Sequence, residues 1–339
     1  MSNCRKEQMT SAFFQPPLYK QRYQFVRTYV DTYKPQKVAD LGCGECSLLC
    51  SLKFWDCVEL LVGLDIDEDV LRSKMNILSP LVTHYLEPRK RSLTVTLYKG
   101  SVTQKDPALL GFDLITCIEL IEHLQEDDLE KLQDVIFGFL APRSVVISTP
   151  NAEFNPLLPN LTSFRHPDHK FEWTREQFQS WATAVSQRYN YSVEFSGVGR
   201  PPAGSEDVGF CSQIGVFTRN YTESEDFINK KKECKSVYKT VYNVVYPSLV
   251  EEKYLRQAVL RSALSEAYTM KSTLLERLFP EEYEPEENFT ETLKESGRTL
   301  LWPPKQNTIS EPKEDKTIEP SYKETLYTSL LKNSSMCQK

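Results

Sequence analysis

The sequence lacks the features of a membrane or secreted protein. No apolar run approaches the roughly 20 residues that a bilayer-spanning helix needs, and the N-terminus has no secretory hydrophobic region. The nine cysteines are an odd number without the spacing of a disulfide framework, which favours a reducing compartment. These absences predict a cytoplasmic protein that makes no contact with a membrane.

A basic excess is also missing. The chain has 41 Lys and Arg against 47 Asp and Glu, which gives a formal net charge of −6. Proteins that grip long nucleic acids need a broad positive surface, so any nucleic-acid contact here must be local. With 339 residues, of which 40% are hydrophobic, the chain is long enough to bury one large core or two smaller ones.

A strand, a glycine turn and a helix are predicted within residues 37–50, KVADLGCGECSLLC. Asp40 ends the strand, and Gly42 and Gly44 let the backbone turn tightly and approach a ligand where a side chain would clash. Asp65 follows about 20 residues later at the end of a second predicted strand, where a carboxylate can accept hydrogen bonds from a ribose diol. The pattern therefore predicts a nucleotide-containing cofactor.

A third glycine, which a nicotinamide dehydrogenase would need, is absent because Ser47 stands at its position. The D-x-G-C-G segment resembles motif I of the class I S-adenosylmethionine-dependent methyltransferases. That resemblance implies S-adenosyl-L-methionine as cofactor and an α/β, Rossmann-like, mostly parallel sheet with helices on both faces. It also implies that Ser101, after a third strand, borders the adenine. Residues 191–199 and 212–219 predict a C-terminal hairpin.

The segment FDLITCIELIEHL, Phe112 to Leu124, predicts a buried strand followed by a turn. Glu119, Glu122 and His123 stand at i, i+3 and i+4, so a helical turn would project all three from one face. Two carboxylates and an imidazole suit a divalent cation. The alternative is an acidic first helical turn, in which glutamate favours the positive end of the helix dipole.

A long segment after the fifth predicted strand contains His166 and His169, two of the four histidines. Long loops inside compact domains are usually functional, and this one leaves the carboxyl end of a strand beside the glutamates. One of its histidines could therefore complete a four-ligand set. His166, next to Pro167, is expected to be a bystander.

Three segments together resemble the small-RNA 3′-terminal 2′-O-methyltransferases, a family that includes the animal piRNA methyltransferases. They are FQPPLYKQR at Phe14 to Arg22, ELIEH at Glu119 to His123, and DHKFEWTREQF at Asp168 to Phe178. The resemblance covers residues 14 to about 219 and is to the short animal form. It implies methyl transfer to the 3′ end of a small single-stranded RNA, presented by an Argonaute-type (Piwi) partner.

The resemblance also implies roles for individual residues. The catalytic, metal-binding set that would hold Mg²⁺ or Mn²⁺ is Glu119, Glu122, His123 and His169. The set that would hold the RNA end is Phe14, Pro16, Pro17 and Arg22. Two imidazoles among the ligands lean toward Mn²⁺ over Mg²⁺.

The predicted organisation is a loose N-terminus (1–13), a catalytic domain (14–219), a partly helical extension (220–279) and a disordered tail (280–339). A monomer is expected. Two alternatives remain open at this point. One is a metal-dependent O-methyltransferase acting on a catechol-type small molecule, and the other is a methyltransferase-fold scaffold without activity.

Overall fold

The computed structural model describes residues 14–159, 161, 163–220 and 235–280. The predicted loose N-terminus, residues 1–13, lies outside the described residues, as does the predicted tail from residue 281 onward. Among the described helices, none combines the length and apolar character that a bilayer crossing requires.

The described strands form one eight-stranded sheet in the order β6, β7, β5, β4, β1, β2, β3, β8. They are β1 (Lys37–Leu41), β2 (Leu60–Asp65), β3 (Thr94–Lys99), β4 (Leu114–Ile118), β5 (Ser144–Pro150), β6 (Tyr191–Val198), β7 (Ser212–Arg219) and β8 (Lys239–Val245). The five central strands are parallel, whereas β6, β7 and β8 run antiparallel to their neighbours. The predicted mostly parallel sheet and its closing β6–β7 hairpin are confirmed.

Helices cover both faces of the sheet. They are α1 (Leu18–Tyr33), α2 (Ser47–Leu52), α3 (Glu68–Lys74), α4 (Val82–Leu86), α5 (Glu126–Gln133), α6 (Arg175–Tyr189) and α7 (Glu252–Leu278). A π-helix, Asp134–Leu140, continues α5. Short 3₁₀ turns occupy Met75–Leu78, Pro107–Leu109, Ile121–His123, Ala152–Leu157 and Glu206–Val208.

Each face of the sheet buries its own apolar cluster. One cluster joins α1 and α2 to the sheet through fully buried side chains such as Val26, Leu49 and Leu61. The other joins α5 and α6 to the opposite face, with Leu132 and Phe178 among its members. Burial on both faces explains why the central strands are almost wholly apolar. The same packing fixes the carboxyl ends of β1, β2, β4 and β5 along one edge, where α/β proteins bind their ligands.

The sheet extends past the boundary near Arg219 that the sequence predicts. Strand β8 pairs with β3 from Thr94↔Val245 to Lys99↔Lys239. The buried carboxylate of Asp106 accepts hydrogen bonds from the backbone N–H groups of Val237 and Tyr238, which lie just before β8. The segment predicted as a partly helical extension therefore supplies an edge strand as well as α7.

Candidate active site

Glu119 leaves the end of β4 in a left-handed conformation, with φ of +53°. Its backbone N–H donates to the Ser148 carbonyl oxygen on β5 at 3.1 Å. The sequence predicts one helical turn that carries Glu119, Glu122 and His123. The structure instead has a single 3₁₀ turn, Ile121–His123, and Glu119 lies before it. Contact with the neighbouring strand, and not helix periodicity, therefore sets where Glu119 points.

The carboxylate of Glu119 is well satisfied. Its Oε1 accepts hydrogen bonds from the hydroxyls of Ser148 at 2.9 Å and Ser212 at 2.6 Å. Its Oε2 lies 3.4 Å from Nη1 of Arg22, and both side chains are largely shielded from solvent. Arg22, which the resemblance assigns to RNA binding, thus contacts a predicted metal ligand.

Glu122 is fully buried and only half satisfied. Its Oε2 accepts a hydrogen bond from the Thr149 hydroxyl at 3.0 Å. Its Oε1 has no hydrogen-bond partner among the described residues. Burial, and then the neighbouring charge of Glu119, raise the pKa of Glu122 well above its usual range. A buried carboxylate oxygen without a donor is costly unless a cation or a proton compensates it.

Three imidazoles gather at the turn that carries Glu122. The ligand atoms of His123, His166 and His169 lie within 4.8 Å of one another. The His123 and His169 ring centroids are 4.8 Å apart, and His166 lies 5.6 Å from the first and 5.7 Å from the second. Burial, and then the two neighbouring imidazoles, lower the pKa of His123 to about 4. The structure therefore brings His166, expected to be a bystander, into the same cluster.

The loop is tied to the turn that carries Glu122. The Lys170 backbone N–H donates to the Glu122 carbonyl oxygen at 2.7 Å. The predicted capping box of Thr174 and Gln177 is present and starts α6, which fixes the far end of the loop. Both contacts lie just after His169, so the chain that follows the two histidines is fixed to the turn of Glu122 and to the start of α6.

Glu172 orients His169, a role that sequence reasoning missed. Its Oε1 lies 2.6 Å from Nδ1 of His169, and the carboxylate also accepts hydrogen bonds from the Asn155 amide and the Arg165 backbone N–H. Burial alone would raise the pKa of Glu172, but these hydrogen bonds lower it overall. A carboxylate that accepts from Nδ1–H leaves Nε2 as the donor atom for a metal. The signal was present as a glutamate three residues after the histidine.

The cofactor turn has the expected form. Gly42 and Gly44 have φ of +73° and +46°, values that favour glycine. A Cβ added at Gly42 would meet Leu120 at 2.7 Å, whereas one at Gly44 would meet nothing within 4 Å. Gly44 thus leaves open space beside the backbone, as a cofactor-binding turn requires.

Two aspartates and a serine flank this turn. Asp65 Oδ2 accepts a hydrogen bond from the Gly44 N–H at 2.8 Å, and Oδ1 accepts one from the Asp67 N–H at 2.9 Å. Asp40 is buried and accepts a hydrogen bond from the Thr116 hydroxyl at 2.7 Å, while burial raises its pKa to about 7. The Ser101 and Thr103 hydroxyls lie 2.8 Å apart at the end of β3. The structure therefore gathers the predicted cofactor residues along one edge.

The predicted RNA-binding segment is only partly accessible. Pro16 is exposed and Pro17 half-buried, but the Phe14 ring is buried and packs 5.8 Å from the Phe154 ring, centroid to centroid. Phe14 is therefore a core residue in this structure, whereas the substrate contact predicted for it needs an accessible ring. An aromatic side chain suits both a core position and a contact with the RNA, so the sequence alone could not distinguish these two roles.

The donor set fits a divalent ion. Carboxylate and imidazole ligands together suit first-row ions such as Mn²⁺, and the buried Oε1 of Glu122 has no hydrogen-bond partner among the described residues. The residues that could hold the ion are Glu119, Glu122, His123 and His169. Sequence reasoning selected all of these.

Several known proteins with similar sequences are small RNA 2′-O-methyltransferases. No protein-family model matches the chain. A small RNA 2′-O-methyltransferase of Xenopus tropicalis is 61% identical over 325 residues, which cover 96% of this chain and 88% of that protein. The small RNA 2′-O-methyltransferase of Gallus gallus is 58% identical over 280 residues, covering 82% of this chain and 74% of that protein.

Solved structures extend the similarity to the fold. The crystal structure of the small RNA methyltransferase HEN1 is 36% identical, with a TM-score of 0.60, and covers 70% of this chain and 28% of that chain. The methyltransferase domain of a bacterial Hen1 is also 36% identical, with a TM-score of 0.51, over 60% of this chain and 99% of that chain. The matched region is large enough to include the sheet edge described above.

Proposed function

The chain belongs to the small RNA 2′-O-methyltransferase family, and we propose that it methylates the 2′-hydroxyl of the 3′-terminal nucleotide of small single-stranded RNAs. It has the class I methyltransferase fold and is an S-adenosylmethionine-dependent enzyme. In the proposal, Glu119, Glu122, His123 and His169 hold Mg²⁺ or Mn²⁺. Two observations support the metal: the buried Oε1 of Glu122, which has no hydrogen-bond partner among the described residues, and the cluster of three imidazoles that includes His123 and His169.

The chemistry explains why an ion belongs there. A ribose hydroxyl is a weak nucleophile, and a bound divalent ion would lower its pKa and orient the neighbouring oxygens. The side chains supply the fixed frame for this arrangement. Ser148 and Ser212 hold Glu119, Thr149 holds Glu122, and Glu172 holds His169.

The same frame supports selection of a chain end. Only a 3′-terminal nucleotide offers neighbouring 2′- and 3′-hydroxyls, because an internal nucleotide has its 3′-oxygen in a phosphodiester. A DNA end lacks the 2′-hydroxyl. Such a site needs no reading of base sequence and few phosphate contacts, in keeping with the net charge of −6.

Several properties predicted from the sequence belong to the proposal. An Argonaute-type (Piwi) protein would present the RNA, the protein would act in the cytoplasm as a monomer, and catalysis would reside in residues 14–219. Pro16, Pro17 and Arg22 would lie toward the RNA end.

The proposal is tested by methyl transfer from labelled S-adenosylmethionine to a short single-stranded RNA. Three 3′ ends are compared: a free 2′,3′-diol, a 2′-deoxy end and a 3′-phosphate. We expect transfer to the diol alone, its loss with chelator and its recovery with Mn²⁺ or Mg²⁺. Transfer to a catechol with none to RNA would overturn the proposal in favour of a small-molecule enzyme. Equal transfer with chelator present would show that the reaction needs no metal.

A further inference from the structure

His166 shares a cluster with two of the residues that would hold the ion. Its ring centroid lies 5.6 Å from that of His123 and 5.7 Å from that of His169, and the ligand atoms of all three fall within 4.8 Å of one another. Two nitrogens that bind one ion through bonds of about 2 Å lie at most about 4 Å apart, so the three rings need only small shifts to share one ion.

The two histidines of the loop differ in how deeply they are buried. His169 Nδ1 lies 2.6 Å from Glu172 Oε1, and these side chains are 7% and 1% exposed. His166 Nδ1 lies 3.5 Å from Asp168 Oδ2, and these side chains are 26% and 73% exposed. The Asp168 backbone N–H donates a hydrogen bond to His166 Nδ1 at 3.2 Å. Binding of an ion through His166 Nε2 would therefore move the ring proton to Nδ1 and replace this hydrogen bond by one to the Asp168 carboxylate.

We propose that His166 is a fifth protein ligand of the ion in the RNA-free enzyme and gives up its place to a ribose oxygen when the RNA end binds. The inference rests on the proposed function. An octahedral shell has two positions beyond Glu119, Glu122, His123 and His169, and the terminal diol needs both. Before RNA arrives, His166 takes one and water the other.

This difference in burial suits a replaceable ligand. Displacing His169 would uncover two side chains that are 7% and 1% exposed, whereas moving His166 away from Asp168 would uncover less, because these side chains are already 26% and 73% exposed. The arrangement would keep the ion bound between turnovers without blocking the diol.

The test uses Mn²⁺ as the probe and needs no activity. Pulsed electron paramagnetic resonance distinguishes ions with different numbers of directly bound imidazole nitrogens through their ¹⁴N couplings. In the full-length RNA-free enzyme we expect coupling from three imidazoles, falling to two when an RNA with a free 2′,3′-diol end is added. Addition of the 2′-deoxy end should leave three. Two imidazoles in the RNA-free enzyme, or three that persist with the diol end, would overturn the proposal.

A variant gives an independent measurement. His166→Gln should weaken Mn²⁺ binding to the RNA-free enzyme by at least about tenfold, the lower end of the loss seen even for outer-shell partners. Binding in the presence of the diol end should change by much less. The control is His84→Phe, which removes the remaining imidazole, packed between Phe54 and Tyr246, and should not alter Mn²⁺ binding.

These outcomes separate the two proposals. Unchanged Mn²⁺ affinity in His166→Gln, alongside a large loss in His169→Ala, would sink the role of His166 and leave the four-ligand site standing. Failure of the wild-type enzyme to bind any Mn²⁺ would sink both. S-adenosylhomocysteine binding, measured on each variant by calorimetry, confirms that the variant is folded.

Discussion

The two sides of the site are built by different means. The cofactor side comprises the residues at the ends of the first three strands, Asp40, Gly42, Gly44, Asp65 and Ser101. The histidine side comprises Glu119, Glu122, His123, His166 and His169. On the predicted cofactor side, each residue lies at or just after the end of one of these strands. On the histidine side, groups from a strand end and a separate loop meet, and further side chains hold Glu119, Glu122 and His169.

The difference separates binding from chemistry. Backbone N–H groups and a glycine turn hold a cofactor with little dependence on distant residues. Buried carboxylates and imidazoles instead depend on compensating partners, because each is costly when left alone. Damage to the cofactor side should therefore appear as weaker cofactor binding, and damage to the histidine side as lost methyl transfer with the cofactor still bound.

The largest expected effect comes from removing a ligand on the histidine side. Glu122→Ala and His169→Ala should each lower methyl transfer to a diol-ended RNA by at least about 100-fold, since even outer-shell partners of a metal can cost that much. S-adenosylhomocysteine binding, measured by calorimetry, should stay within about twofold of wild type. Weaker cofactor binding of the same size as the activity loss would break the division between the two sides.

The next effect comes from the carboxylate behind His169. Glu172→Gln removes the charge that holds Nδ1–H, so Mn²⁺ affinity should fall by about 10- to 100-fold. Activity should recover in part at high Mn²⁺, because the ligand itself is retained. The matched control is Glu153→Gln, which alters a carboxylate of the same region that pairs with Arg175 and should leave Mn²⁺ affinity unchanged. If both variants lose affinity equally, Glu172 acts through general loop stability.

On the cofactor side, Asp65→Ala should raise the KM for S-adenosylmethionine by roughly tenfold or more, the value of about 1.5–3 kcal/mol for a hydrogen bond to a charged group. The turnover rate at saturating cofactor should change little, because the histidine side is untouched. Thermal unfolding without cofactor serves as the control, since Asp65 also accepts a hydrogen bond from Gly44. An unchanged KM would show that Asp65 does not bind the ribose of the cofactor.

The same comparison explains what the sequence could predict. The strands, the glycine turn and Asp65 follow from local patterns, and the structure reproduces them. The glutamates and His123 were selected by their spacing, and His169 through the family resemblance and the expectation that neighbouring strand ends meet. The positions of Glu172 and His166 were not predicted, because they depend on which way a loop folds back. Strand β8 was not predicted either, because an edge strand after a long intervening segment has only a short, ambiguous apolar pattern.

Phe14 is a residue for which the local sequence pattern does not decide between burial and exposure. Its pattern, an aromatic residue before two prolines, suits both an accessible ring and a packed one, and the structure buries it against Phe154. Burial depends on a contact between segments far apart in the chain. A periodic apolar pattern predicts a buried face of a helix or strand, but it does not predict the fate of a single aromatic residue in an irregular segment.

The smallest effect on catalysis is expected from a pH dependence of stability, which Asp40 carries on the cofactor side. Burial raises its pKa to about 7 in the folded state, against about 3.9 in an unfolded chain. Its stabilising contribution is therefore fully present below pH about 4 and is lost as the pH rises through about 7, because the charged form is disfavoured where it is buried. Without cofactor, the Tm of wild type should fall by roughly 10 °C across this range relative to Asp40→Asn. Parallel Tm profiles for the two proteins would show that Asp40 is already charged in the folded state, and the cofactor side would then share the histidine side's need for a compensating cation.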